Sequence, residues 1–275
     1  MNKDAQKSNK GKKLIVLGFV SIAILFLLYG RYQDPEVFTP SAMDSIQRIA
    51  YGFYITLVVS FGAIALGLHR YQNGKIKNKR NDISTAIALT VSNSKSRKIF
   101  VLTFVMYGVF FSLVSGTLVY QPEVNFAVHY GAEIPSGFVA PCCDGPGYMP
   151  KIIIYLTEHV GLQIIPINLV LQLVVSYLVA LNAAIAVSAY TISKKGRGVS
   201  TIGAATGLFI ACPTCAGTFL SIFVGTASGI ALSIALTQMQ TLFIAISIPV
   251  LVITPYVMAK KLQNPDGSCK ADTTK

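Results

Sequence analysis

A chain of 275 residues with a net charge of +12 would suit one or two soluble domains with an acidic partner, were it not 53% hydrophobic and only 12% charged. Soluble domains carry about 25% charged residues, so most of this surface is expected to avoid water, and too little polar sequence remains for a soluble domain. The basic residues fall in four short stretches between apolar runs, which is the pattern of a membrane orientation signal and requires no nucleic-acid partner.

Residues 1–13 are polar and carry Lys3, Lys7, Lys10, Lys12 and Lys13. Residues 14–30 are apolar and uncharged. A helix rises 1.5 Å per residue, so about 20 apolar residues cross a ~30 Å hydrocarbon core. The run therefore reads as a slightly short first span. Its basic start imitates a secretory signal peptide, but Arg31-Tyr32-Gln33-Asp34 follows where a small-residue cleavage site would lie, which favours an uncleaved helix. Thr39 and Pro40 read as the cap and first position of a second helix, with a span over 49–68. The polar stretch 69–98 holds eight Lys/Arg against the single acid Asp82, and its apolar part, 83–91, is too short to cross. A third span is expected over 99–120.

Residues 121–151 form a long Gly- and Pro-rich loop, a length associated with function or disorder. The apolar segment 152–165, interrupted by Glu158-His159, has the size of an interfacial or re-entrant piece. Pro166 precedes a fourth span over 167–192, closed by Lys194, Lys195 and Arg197. Two further spans are placed at 203–224 and 241–259, with a third crossing conceivable at 227–236. The predicted fold class is all-α: a single polytopic membrane domain of about six transmembrane helices. Asn168, Gln172 and Asn182 of the fourth span are expected to hydrogen-bond between helices.

Six spans with both termini cytoplasmic place 20 of the 23 Lys/Arg inside, in groups of five, eight, three and four, and leave only Arg31, Arg48 and Lys151 outside. That bias sets orientation, and the predicted location is the cell membrane. A seventh crossing within 152–192 would export Lys194, Lys195 and Arg197, which argues against it.

Five cysteines carry the remaining chemistry: Cys142, Cys143, Cys212, Cys215 and Cys269. One pair is vicinal and one is CxxC, unlike the paired motifs of a structural zinc site. Cys212-Pro213-Thr214-Cys215 resembles, over four residues, the local CPxC motif of thioredoxin-like and glutaredoxin proteins, and assigns no family. Pro213 breaks a helical ladder but is tolerated at a helix start. A break there would set Cys212 at the mouth of a half-helix, whose free N–H groups and dipole favour a thiolate. Cys212 and Cys215 are thus candidate redox thiols. A packed proline kink with two small buried side chains accounts for the same residues. Cys142-Cys143 lies in the external loop among Pro141, Gly145, Pro146 and Gly147. Vicinal thiols suit Cu(I) or a similar soft ion, or dithiol exchange, and an external compartment equally permits a structural disulfide. His129, Glu158 and His159, on the same predicted side, are candidate nitrogen and oxygen ligands, and Glu158-His159 equally suits the anchoring of a short helix at the interface.

None of the six predicted spans contains Asp, Glu, Lys, Arg or His, which weighs against an ion- or proton-coupled transporter. Phosphate-binding glycine loops, HExxH and GxSxG are missing too, so the sequence leans away from an enzyme. Three functions remain: thiol-based handling of electrons or a soft metal; an accessory subunit within a larger membrane complex, with structural cysteines; and a small-solute transporter with a broken fifth helix.

Overall fold

A computed structural model describes residues 3–31, 40–77, 82–141, 147–195, 248–249 and 251–256. Most of the described residues are helical, and among them four helices are long and apolar enough to cross a membrane: Ser8–Gly30, Asp44–Lys77, Ser94–Leu113 and Pro166–Ser188. The predicted fifth and sixth spans lie outside the described residues, apart from 248–249 and 251–256, which are helical. The chain divides into two compact units, Met1–Asn78 with Val109–Leu173, and Lys79–Gly108 with Val174–Lys275.

In the first unit, α1 (Lys3–Gly30) packs along α2 (Pro40–Lys77). The seam follows alternating steps of three and four residues. On α2 the inward positions are Ile46, Ala50, Phe53, Leu57, Ser60, Ile64, Gly67, Tyr71 and Gly74; on α1 they are Ser8, Gly11, Ile15, Gly18, Ile22, Leu25 and Tyr29. This is the 3.5-residue repeat of a coiled coil. The half of the seam nearest Lys12 and Tyr71 is lined with small residues, which lets the two backbones come together. A Cβ added at Gly11 would stand 2.7 Å from the Tyr71 nitrogen and 2.8 Å from the Gly67 oxygen. The outward faces are apolar: Val16, Leu17, Leu27 and Leu28 on α1 and Ile55, Val58, Val59 and Leu66 on α2 are all exposed. Contiguous exposed apolar surface of this extent is what a lipid-facing helix presents.

The other end of the pair carries a feature that an all-α reading misses. Strands β1 (Leu118–Tyr120), β2 (Ser136–Ala140), β3 (Lys151–Tyr155) and β4 (Val160–Ile164) form an antiparallel sheet in the order β1-β4-β3-β2. Its register pairs Val139 with Ile152, Ile152 with Ile164, and Tyr120 with Val160. Residues 152–165, read from sequence as an interfacial or re-entrant segment, are therefore mostly two strands joined at Thr157-Glu158-His159. Val139, Met149 and Ile152 continue the α1–α2 core, where Phe53 meets Phe26, Tyr29 and Tyr54 edge-on at ring separations of 5.1–5.6 Å. The short helix α5 (Phe126–Tyr130) covers the opposite face through Phe126, which packs on Gly161 and Tyr155. From here on, helices and strands keep chain order, with α3 at Ile83–Ser92, α4 at Ser94–Val114 and α6 at Pro166–Lys195.

The third predicted span, 99–120, is shorter than read: α4 stops at Val114, Gly116 turns the chain at φ 70°, and 118–120 is strand β1. Within the first unit, the Asn168 side chain donates to the Ser115 carbonyl at 3.3 Å and that of Gln172 to the Ser112 hydroxyl at 2.6 Å, tying α6 to α4 and the turn after it. In the second unit, Ser96 and Ser188 share a 2.7 Å hydrogen bond, Phe100 meets Tyr177 edge-on, and the Asn182 amide donates to the Leu251 carbonyl at 3.0 Å. The three amides thus serve as helix-linking groups, as expected from sequence.

Candidate functional site

Two tyrosines join the sheet to the helix pair. Tyr29, in the last turn of α1, donates its hydroxyl to the Pro141 carbonyl at 2.6 Å. Tyr54 of α2 donates to the carbonyls of Pro150, at 2.6 Å, and Ile164, at 3.1 Å. These bonds stand at the helix-proximal ends of β2, β3 and β4. They also stand at the two flanks of residues 142–146, which lie outside the described residues and contain Cys142 and Cys143. The second flank is held further. Gly147 adopts φ 84°, its carbonyl accepts from the Ile167 N–H at 3.1 Å, and Met149 is buried in the aromatic core. The donor at Ile167 is available because it lies in the first turn of α6, where N–H groups have no helical acceptor. Pro166 occupies the first position of that helix, where its missing N–H costs nothing.

At the other end of the sheet, the candidate ligands Glu158 and His159 hold a loop. The Glu158 carboxylate accepts from the Asn125 side-chain amide at 2.8 Å, and its carbonyl accepts from the Phe126 N–H at 2.8 Å. The His159 Nδ1 faces the carbonyls of Val124, at 3.0 Å, and Gln121, at 3.3 Å. Both partners can only accept, so Nδ1 is a donor here. Asn125 in turn caps α5, its side-chain oxygen accepting from the N–H groups of Ala127 and Val128. His129 is exposed on α5, with its ring edge-on to Tyr130 at 4.7 Å. Among the described residues, no three His, Cys, Asp or Glu side chains gather as a metal-holding group. His129, Glu158 and His159 are therefore not joined into one site by the described residues. Cys212, Cys215 and Cys269 lie outside the described residues as well.

Sequence reasoning missed Tyr29, Tyr54 and Asn125. Asn125 has a visible signal, a cap residue directly before a short apolar stretch. The tyrosines have only their positions near the ends of apolar runs, which an aromatic belt would also explain. Compared with family models, curated proteins and solved structures, the chain shows no significant match, so no relative lends it a function.

Proposed function

We propose that this chain is a six-span protein of the cell membrane with both termini cytoplasmic, and that it binds a soft metal ion through the external pair Cys142-Cys143. The reading is supported by one observation above the rest. Both flanks of residues 142–146 are pinned, one by the Tyr29 hydroxyl on Pro141 and the other by Tyr54 on Pro150 and by Ile167 on Gly147. A dithiol whose flanks are fixed has less entropy to lose when both sulfurs take one ion. Cu(I) suits two thiolates, and each thiol gives up its proton as the ion binds. Cys212 and Cys215 would form the second station, by soft-metal binding or thiol exchange.

A second reading, an accessory subunit of a membrane complex, is favoured by the far end of the sheet. Tyr120 is 68% exposed, Val128 85%, Tyr130 58% and Leu156 49%. Exposed aromatic and aliphatic side chains on these elements suit burial against a partner.

The experiment is a competition titration of Cu(I) on the purified full chain, with Cys142→Ser/Cys143→Ser and Cys212→Ser/Cys215→Ser alongside. Loss of binding in the first variant is expected, and unchanged binding there dismisses the external pair and leaves the accessory reading in front. A reporter after Lys261 should be cytoplasmic and a tag near Gly137 external. Finding both on one side would overturn the topology.

A further inference from the structure

Residues 251–256 of the second unit are helical and hold a proline. Pro255 stands where an N–H would otherwise donate to the carbonyl four positions back, that of Leu251. Leu251 and Pro255 are buried, whereas Val252, Ile253 and Tyr256 are exposed, so the face with the missing bond is the one packed inward. Leu251 joins Val175 and Val179 of α6 there. Backbone groups freed by a proline in a membrane helix are satisfied again by side chains of a neighbouring helix or by ordered water. Asn182 of α6 supplies the side chain. Its Nδ2 donates to the Leu251 carbonyl at 3.0 Å and to the Leu178 carbonyl of its own helix at 2.9 Å.

Both amide hydrogens are then in use, which fixes the carboxamide: turned over, it would set its oxygen against two carbonyl oxygens. Its Oδ1 is left as a buried acceptor with no hydrogen-bond partner among the described residues. The Leu251 carbonyl, deprived of its helical donor, keeps a second lone pair. These two acceptors lie close together. An amide oxygen is about 2.3 Å from its own nitrogen, so Oδ1 and the Leu251 oxygen are at most about 5.3 Å apart. A water that donates to two acceptors at ~2.8 Å each holds them about 4.5 Å apart, inside that limit. Two acceptors call for a molecule with two protons to give. Residues 159–265 and α4 contain no Asp or Glu, so a cation there would be buried without a counter-charge. The neutral two-proton donor of this size is water. Ser176, whose buried hydroxyl also has no partner among the described residues, is six positions from Asn182, about 9 Å along the axis, too far to share the same molecule.

We propose that one buried water bridges the Asn182 Oδ1 and the Leu251 carbonyl, completing with the Asn182 amide the bonding that Pro255 leaves open. The site lies within the second unit and uses none of the cysteines, so failure of the metal titration leaves it standing.

The test is NMR of the full chain in detergent micelles, deuterated and labelled with 15N in asparagine, read for cross-relaxation between water and the side-chain amide protons. Loss of one amide pair in Asn182→Leu or Asn182→Ser identifies the Asn182 signal. That amide should show direct cross-relaxation with a long-lived water. Pro255→Ala returns an N–H to the Leu251 carbonyl, fills its second lone pair and should abolish the water signal, although Asn182 is untouched. Ser176→Ala should leave the signal unchanged. A parent amide without water cross-relaxation overturns the site, and a signal that survives Pro255→Ala overturns the bridge to Leu251. Cross-relaxation with the protons of a copurified molecule in place of water overturns the water assignment. Thermal midpoints of Pro255→Ala and Ser176→Ala, expected close to that of the parent, show that each still folds, and the parent measurement decides the site without them.

Discussion

The glycine seam can be tested with one chemical change made at two kinds of position. Ala is preferred to Gly in a helix interior by about 0.5–1 kcal/mol. Gly62 has no atom within 4 Å of the place its Cβ would take, so Gly62→Ala should be neutral or stabilising by up to about 1 kcal/mol. Gly11→Ala meets the opposite surroundings: the Tyr71 nitrogen at 2.7 Å, the Gly67 oxygen at 2.8 Å and the Tyr71 Cα at 3.0 Å. All three are backbone atoms, and a backbone in a helix cannot rotate aside as a side chain can. The helices would have to part by roughly 0.5–1 Å, which forfeits a quarter to a half of each van der Waals contact along the seam. Overpacking of this kind costs about 1–3 kcal/mol. Packing and not hydrophobic transfer holds helices together in lipid, so little else offsets the loss. Gly67→Ala, which meets the Gly11 oxygen and the Ile15 Cγ1 at 2.9 Å, should behave like Gly11→Ala. The double variant should cost less than the two losses added, because both substitutions open the same gap. Unfolding free energies from a denaturing-detergent titration provide the measurement. A Gly11→Ala protein as stable as Gly62→Ala would refute the close-packed seam.

The tyrosine anchors predict graded effects on the sheet. Tyr54→Phe removes one hydroxyl proton shared between two carbonyls and Tyr29→Phe one given to a single carbonyl, each loss costing about 1–3 kcal/mol. Hydrogen exchange in β3 and β4 should accelerate more in Tyr54→Phe than in Tyr29→Phe, and equal, unchanged exchange in both would show that the hydroxyls hold nothing. Asn125→Ala should release α5 and cost about 1 kcal/mol through loss of its cap. Glu158→Gln should do far less, because an amide oxygen still accepts from Asn125; a larger effect from Glu158→Gln would reverse the assigned roles.

The long apolar helices were legible because a run such as 14–30, uncharged and apolar, has few other uses. Their true lengths were not. Hydropathy stops at Leu14 and Leu68, whereas α1 begins at Lys3 and α2 reaches Lys77. What carries the helices onward is the small-residue repeat of Ser8, Gly11, Gly67 and Gly74, which is visible to a search for a 3.5-residue period and invisible to one for apolar content. The sheet was hidden for a related reason. Strands half-covered on both faces read as continuous apolar runs, so Leu118-Val119-Tyr120 merged into the preceding helix and 152–165 looked like one apolar segment. The signs that separate them are local: Gly116 after Val114, the β-branched run Ile152-Ile153-Ile154, and the polar Thr157-Glu158-His159 between two apolar stretches. The anchoring of residues 142–146 left less trace, since Tyr29 bonds a carbonyl 112 positions away and Tyr54 one 96 positions away. A carbonyl acceptor imposes no side-chain type on its position.

A sheet this small depends on what lies beneath it. Its strands are three to five residues long, and isolated strands of that size gain too little from pairing to persist in water. Val139, Met149 and Ile152 supply the missing core only by joining Phe53, Tyr29 and Ile22 of the helix pair. The hydroxyls of Tyr29 and Tyr54 then fix the register of three strand ends against α1 and α2. The flanks of Cys142-Cys143 are therefore only as rigid as the packing between α1 and α2. A substitution that parts the helices at Gly11, far along the seam from the sheet, should loosen those flanks as well. Metal affinity at the cysteine pair, if the pair binds an ion, should fall in Gly11→Ala and stay unchanged in Gly62→Ala. An affinity that ignores both would mean that the sheet holds its own shape and takes none from the helices.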